Sequence, residues 1–343
     1  MKSNVTAIIS TRDRYFTTLP QVLISIAQQT VRPDALIIYD DGECRDLRND
    51  SLYENIFKLL DNKGLEGNWK VLFGEKKGQV LNHQKSIKDV QTEWIWRLDD
   101  DNIAEPDTLE KLLKNVTPEV GAVAGLVVDP KMGLKISELA SNKIEDIFLG
   151  MNIQWFNFEG VKEVDHLYSS FIYRKEAAKH GYCMELSKVG HREETIFTYE
   201  MKRNGWKLLV DPTAVTWHMR ASAGGIRSEK DAGLWQHDEE IFKRKLGEWK
   251  VVPRDIKLVV LDCGLGDTLV FKKTLPDLRK KYKNIVVAMC YREVFANDVD
   301  IKLISIAEAQ MLTNILDFNI YKAMIDWDWK DSLESAFRRL YQI

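Results

Sequence analysis

The chain has 343 residues, 45% of them hydrophobic, enough for two domains or for one large domain with an appendage. Charged residues make up 29% and leave a net charge of only -3, which excludes the global basic field that carries nucleic-acid or membrane binding. Four scattered cysteines, Cys44, Cys183, Cys263 and Cys290, form no C-x-x-C pair, so they read as reduced packing residues of a cytoplasmic protein and not as a disulfide framework or zinc site.

The N-terminus passes from Met1-Lys-Ser-Asn4 straight into a strand-like run, without the pattern of a secretion signal. No stretch approaches the apolar length of a membrane span, so a membrane-bound substrate would be reached from the surface, by peripheral contact. Val5 to Ile9 reads as a buried strand, and Leu19, Val22, Leu23 and Ile26 recur at helical spacing between Leu19 and Gln29. Ala35 to Tyr39 is a second strand, ending on Asp40-Asp41-Gly42. A helix around Tyr53 to Leu60, a strand Trp69 to Phe73 and a helix from about His83 to Val90 follow. This alternation implies an α/β sheet with a largely parallel, doubly wound part, whose ligands bind beyond the carboxyl ends of the strands.

Thr92 to Leu98 then delivers Asp99, Asp100 and Asp101 to that edge. Three adjacent carboxylates suit a hard divalent cation, which takes oxygen ligands and neutralises phosphate. The alternative is an Asp-rich turn capping a helix that begins near Pro106. Further on come Trp155-Phe-Asn-Phe158, the run His166 to Tyr173, and a helix from Glu193 to Asn204 closed by Gly205. Strands at Trp206 to Val210 and Thr213 to His218 precede a small, polar, Gly-containing loop over Ala221 to Asp231, then a helix from Leu234 to Trp249. Pro253-Arg-Asp255 marks a boundary, giving domains over 1–250 and 251–343. The second opens with a βαβ unit: Ile256 to Leu261, a Gly loop, Thr268 to Tyr282, and Ile285 to Met289.

Four pieces in order, VTAIISTRDR (5–14), IIYDDGE (37–43), WIWRLDDDN (94–102) and EETIFTYEMKRNGWKLLVDPTAVTWH (193–218), resemble the family 2 glycosyltransferases of GT-A fold over about the first 250 residues. The resemblance implies that Thr11, Arg12 and Asp13 grip the nucleotide of a sugar donor and that Asp41 recognises its base. It further implies that Asp99 meets ribose or metal, with Asp100 beside it, that Asp101 and His218 ligate Mn2+ or Mg2+, and that Glu194, after Glu193, is the catalytic base. Gly78 and Asn82, in Lys77 to Gln84, are expected near the donor. Departures from the family pattern are Ser10-Thr-Arg-Asp13 for Pro-Thr-x-Asn, Glu for Asp at the base position, and Lys77 to Gln84 where Ala-Arg-Asn is common.

On these roles the cation would offset charge on the departing nucleoside diphosphate while Glu194 deprotonates the attacking hydroxyl, about two to four powers of ten in rate, with inversion at the anomeric carbon. Each residue also has a plain structural reading. Glu193 and Glu194 are favourable charges in a first helical turn, His218 alone would be a structural histidine, and the tryptophans are core residues of which Trp155 or Trp217 could stack on a sugar. His191 and Arg192 read either as touching donor phosphate or acceptor or as playing no part, and the Gly loop either as closing over the donor with Arg227 reaching phosphate or as a plain interdomain linker. Residues 256–288 resemble the first Rossmann-like unit of GT-B heptosyltransferases, with Asp267 at the acceptor-side aspartate. Too few residues remain for that family's second domain, so this part reads as a recognition, docking or homo-oligomerisation module. Two other classes stay open: a sugar nucleotidyltransferase, which would want a Gly-rich basic loop near the N-terminus, and a non-catalytic carbohydrate-binding protein of the same fold.

Overall fold

The computed structural model describes residues 3–131, 133, 136–137, 139–149, 151–221, 223–225, 232–312 and 319–343. The chain forms two compact units. One spans 1–136, 140–144 and 152–251; the other spans 252–343 together with the short upstream pieces 137–139 and 145–151. The sequence boundary at 250/251 has no signal for those upstream pieces. They belong to the second unit through pairings such as Ser137 Oγ to Glu308 Oε1 at 3.2 Å and Arg254 N to the Glu145 carbonyl at 2.7 Å.

The first unit is an α/β layer structure around a nine-stranded sheet. Strands β1 (Val5–Thr11), β2 (Ala35–Asp40), β3 (Trp69–Phe73) and β4 (Trp94–Asp99) run parallel in the order β3-β2-β1-β4. Beyond them the sheet becomes mixed. Strand β8 (Phe171–Arg174) is antiparallel to both β4 and β6 (Val120–Val128), and β6 is parallel to β9 (Lys207–His218). Short antiparallel strands β5 (Asn102–Ala104) and β7 (Lys162–Val164) each pair with β9. The two strands expected over 206–218 are one long strand, whose pairing with β6 is interrupted by a bulge over 211–214.

Side-chain alternation along the parallel strands separates two chemistries. Val5, Ala7 and Ile9 of β1 and Trp94, Trp96 and Leu98 of β4 enter one apolar core. Packed there are α1 (Leu19–Ala27), α2 (Ser51–Leu60) and α4 (Thr108–Leu113), through residues such as Leu23, Phe57 and Leu109. The intervening residues face the other way. Arg97 and Ser10 lie on that side, toward α3 (Gln79–Asp89) and α5 (Glu193–Arg203), where Asn82 Nδ2 donates to Ser10 Oγ at 2.9 Å. Helix α6 (Ala232–Glu248) completes the unit.

The second unit holds a separate parallel sheet of β10 (Ile256–Leu261), β11 (Asn284–Met289) and β12 (Ile301–Ile304), in that order. Its core joins Val259 and Leu261 to Phe271, Leu275 and Leu278 of α7 (Leu265–Lys281). Phe337 and Tyr341 of the C-terminal helix close it. Helix α7 begins at Leu265 and not at Thr268, since Gly264 and Asp267 form its N-terminal cap. All four cysteines are free. Among the described residues no helix is long and apolar enough to cross a membrane.

Candidate active site

The parallel strands bring their C-terminal ends to one level. Ser10 lies opposite both Tyr39 and Asp99, and Thr11 lies opposite Asp40. The first loop, the Asp41 turn and the aspartate run therefore meet at one edge of the sheet. A cavity there is lined by Ser10, Thr11, Arg12, Arg14, Asp41, Gly78, Gln79, Asp99, Asp100, Asp101, His218 and Gly225.

His218 arrives from more than a hundred residues downstream by strand pairing. Asn102 of β5 is opposite His218 of β9, and Met219 N donates to the Asp101 carbonyl at 2.9 Å. This leaves His218 Nε2 3.4 Å from Asp101 Oδ1. Carboxylate and imidazole facing one another at that separation suit a divalent ion such as Mn2+. Among the described residues no group of three or more His, Cys, Asp or Glu side chains gathers for a metal. Asp101 and His218 are two donors, and a cation held by them would need its remaining ligands from substrate phosphate and water.

The three aspartates differ in environment. Asp99 Oδ2 accepts from Ser169 Oγ at 2.6 Å, and Ser169 in turn accepts from Asn102 Nδ2 at 2.6 Å. Asp100 Oδ2 accepts from Thr11 Oγ1 at 2.8 Å, while Asp100 Oδ1 lies 3.0 Å from Arg14 NH1. The same NH1 is 2.5 Å from Asp101 Oδ2. Burial pushes the Asp100 carboxyl up to about 7, opposed by Arg14 and reinforced by Asp101. Asp101 goes the other way: burial raises it, but the hydrogen bond and charge of His218, with Arg14, outweigh burial and hold it well below the ordinary carboxylate range.

Glu193 and Glu194 open α5, where the helix N-terminus favours negative charge. Both are buried, and neither is among the residues lining the cavity. Their organiser is Arg97, fully buried on β4. Arg97 NH1 and NH2 reach Glu193 at 2.8 and 2.5 Å, and NH2 lies 3.6 Å from Glu194 and 3.4 Å from Asp99. Burial works against the Arg97 charge, but Glu193 and Glu194 more than offset it and hold the guanidinium charged. Glu193 is thus committed to a bidentate pair, and among the described residues Glu194 has only the longer contact. Gln79 Nε2, which lines the cavity, donates to Glu193 Oε1 at 3.3 Å and links this cluster to the cavity wall.

Other expected residues take different positions. Asp13 does not line the cavity; its Oδ1 accepts from Glu43 N at 2.8 Å, so it braces the Asp41 turn. Both carboxylate oxygens of Asp41 accept backbone N–H groups, Lys76 N and Gly78 N, each at 2.7 Å. Gly78 sits at φ 93°, and a Cβ there would lie 2.2 Å from the Lys188 carbonyl oxygen, so only glycine lets α3 start this close. Asn82 is buried against Ser10. His191 Nε2 and Arg192 Nε pair with Glu239 of α6 at 3.0 and 3.2 Å. Trp155 packs edge-on against Tyr168, and Trp217 Nε1 donates to Glu105 at 2.6 Å; neither lines the cavity. Asp267, in the second unit, accepts from Tyr321 at 2.8 Å. Arg227 lies outside the described residues.

Two residues escape the sequence reading. Arg97 carried a visible signal, a charge inside the apolar run Trp94 to Leu98, which a buried strand tolerates only with a partner. Arg14 carried none, because an arginine in a polar loop is ordinary until Asp100 and Asp101 are folded against it.

The architecture is similar to that of solved glycosyltransferases. A structure of GalNAc-T7 with UDP, GalNAc and Mn2+ aligns at a TM-score of 0.50 and 13% identity over 70% of this chain; the chain spans only 47% of GalNAc-T7. S. aureus TarS residues 1–349, in complex with UDP-GlcNAc, aligns at 0.50 and 15% identity over 92% of this chain and 79% of that one. No curated protein matches the chain. At such identities the structures speak for the GT-A fold alone; the family follows from the sequence model of Glycosyl transferase family 2, which matches residues 6–181, just over half of the chain, and to that family this protein belongs.

Proposed function

We propose that this protein transfers a sugar, with inversion, from a nucleotide-sugar donor to an acceptor hydroxyl, using a divalent cation held by Asp101 and His218 and Glu194 as general base. The observation that carries the reading is the meeting of Asp101 Oδ1 and His218 Nε2 at 3.4 Å on the wall of the cavity that Thr11, Asp41 and Gly78 also line. A lone Asp-rich turn would not need that histidine. The bound cation would supply charge stabilisation for the departing nucleoside diphosphate.

The chain's own groups account for the rest. Thr11, Arg12 and Arg14 line the donor side, with Asp99 joined to the Ser169 hydroxyl. Arg97 fixes Glu193 through two hydrogen bonds, and that anchoring aims the neighbouring Glu194, whose carboxylate carries no such pair. Glu194 would take the proton of the attacking hydroxyl, and a single displacement by one base inverts the anomeric centre. Asp13 and Glu193 act as supports in this scheme, and Asp41 shapes the loop at Gly78 as well as bordering the donor cavity.

The test is a screen of nucleotide-sugar donors with Mn2+ or Mg2+, read as nucleoside diphosphate release and as donor-dependent thermal shift. Glu194→Gln should keep the thermal shift and lose transfer. Asp101→Asn and His218→Ala should lose the metal-dependent part of the shift. Full transfer by Glu194→Gln sinks the base assignment, and a shift that survives chelation unchanged sinks the cation.

A further inference from the structure

Arg14 belongs to no role so far beyond lining the donor side, yet it touches two of the three aspartates. One guanidinium nitrogen, NH1, is shared between Asp100 Oδ1 at 3.0 Å and Asp101 Oδ2 at 2.5 Å. The second Asp100 oxygen is taken by the Thr11 hydroxyl at 2.8 Å, with Arg12 N at 3.4 Å. Both Asp100 oxygens are therefore engaged by the end of β1 and the loop after it. Asp101 differs, since among the described residues its Oδ1 faces only His218 Nε2.

The guanidinium is also confined from the opposite side. Gly224 and Gly225, at φ 76° and 75°, lie against it; a Cβ on Gly225 would be 2.7 Å from Arg14 NH2, and one on Gly224 would be 2.8 Å from Arg14 Cγ. Gly225 N donates to the Arg12 carbonyl at 2.7 Å, which ties this turn to the loop that carries Arg14. The Arg14 side chain is only 13% exposed. The guanidinium is thus paired with two carboxylates through NH1 and walled by two glycines, while its buried Nε has no hydrogen-bond partner among the described residues.

We propose that Arg14 is the positioning residue of the cation site. It holds Asp101 Oδ2 so that Asp101 presents the single oxygen Oδ1 toward His218, and Asp100 serves as the bracket of Arg14 instead of a ligand. This rests on the cation reading above and deepens it. Side chains that orient a ligand in this way lower metal affinity roughly 10- to 100-fold when removed. Simple charge repulsion would give the opposite sign, because deleting a neighbouring positive charge favours a divalent ion. The two effects are therefore separable by direction.

The experiment measures Mn2+ alone binding to the full chain, by the loss of the free-ion electron paramagnetic resonance signal, without donor. Wild type, Arg14→Lys, Arg14→Met, Asp100→Asn and Asp101→Asn are compared, each with its melting temperature in chelator. Arg14→Met is expected to weaken Mn2+ roughly 10- to 100-fold, Arg14→Lys to recover part of it, and Asp100→Asn to weaken it less than Asp101→Asn. Arg14→Met takes the guanidinium from two adjacent carboxylates; should it not fold, Arg14→Met with Asp100→Asn restores the charge balance and is expected to show the same loss. Equal or tighter Mn2+ binding by the Arg14 variants overturns the inference while leaving the cation reading intact. Absence of saturable Mn2+ binding by wild type, with a nucleoside diphosphate present as well as without it, overturns both.

Discussion

Arg97→Met tests how the base region is held together. Arg97 is fully buried and faces three carboxylates: Glu193 at 2.5 and 2.8 Å, Asp99 at 3.4 Å and Glu194 at 3.6 Å. Methionine fills similar volume but leaves Glu193 buried without its cation. Breaking such a pair from one side costs about 3–5 kcal/mol, which in a domain of this size lowers the melting temperature by roughly 6–20 °C. Removing both partners behaves differently. Arg97→Met with Glu193→Gln should recover half or more of the loss, the remainder reflecting Glu194 and Asp99, which stay charged next to the vacated position.

The pH dependence follows from the same cluster. Burial raises the Glu193 carboxyl, to about 8 even with Arg97 opposing it. A carboxyl raised above its unfolded value contributes stability that is full below that unfolded value and is lost as pH rises through the folded one. In Arg97→Met the Glu193 carboxyl is raised further, so both proteins lose stability in parallel up to about pH 8 and the deficit against wild type should deepen only above it, between pH 8 and pH 9, by at most about 1.4 kcal/mol per pH unit. Urea unfolding followed by tryptophan fluorescence and circular dichroism across that range measures it. An Arg97→Met protein within about 1 kcal/mol of wild type at pH 8, or a double variant as unstable as the single one, refutes the hub.

His83 is fully buried beside Tyr182, with ring centroids 5.5 Å apart, and among the described residues both ring nitrogens lack hydrogen-bond partners. Burial, then the Arg97 charge, holds it well below 6.5; a depressed histidine contributes stability that is full above that unfolded value and lost as pH falls. His83→Phe should therefore reduce the acid-side slope of stability by about 1.4 kcal/mol per pH unit below pH 6, read by urea unfolding at pH 7, 6 and 5; an unchanged slope refutes it. Gly78→Ala forces a Cβ against the Lys188 backbone at φ 93°, and should cost at least about 2 kcal/mol, with a melting-temperature loss that a neutral result would contradict. Asp238, fully buried, accepts from Ser187 N, Ser187 Oγ and His191 N at 2.6, 2.9 and 2.8 Å; Asp238→Ala should cost about 3 kcal/mol or more by leaving those donors unpaired.

Much of the frame is legible in the chain. Strands Ala35 to Asp40 and Trp69 to Phe73 and helix Leu19 to Ala27 are written in local apolar periodicity and agree with the structure to within a residue or two. The antiparallel insertion of β8 between β4 and β6 is not written there, because Phe171 to Arg174 reads the same whichever direction its neighbours run. Nor does the sequence reveal that 137–139 and 145–151 join the second unit.

For the candidate site, the four motifs in order place the chain in glycosyltransferase family 2, since strand-end aspartates, a late histidine and an acidic helix start are properties of the chain itself. What tertiary structure decided is which oxygens remain available. Asp100 is consumed by Thr11 and Arg14, Glu193 by Arg97, Asp13 by the Glu43 amide and Asp41 by two loop amides, whereas Asp101 Oδ1 is left facing His218. Carboxylates adjacent in sequence are chemically alike until long-range partners divide them. Those partners lie from about thirty to more than a hundred residues away, so only the folded sheet brings the cations and amides that assign each aspartate and glutamate its place.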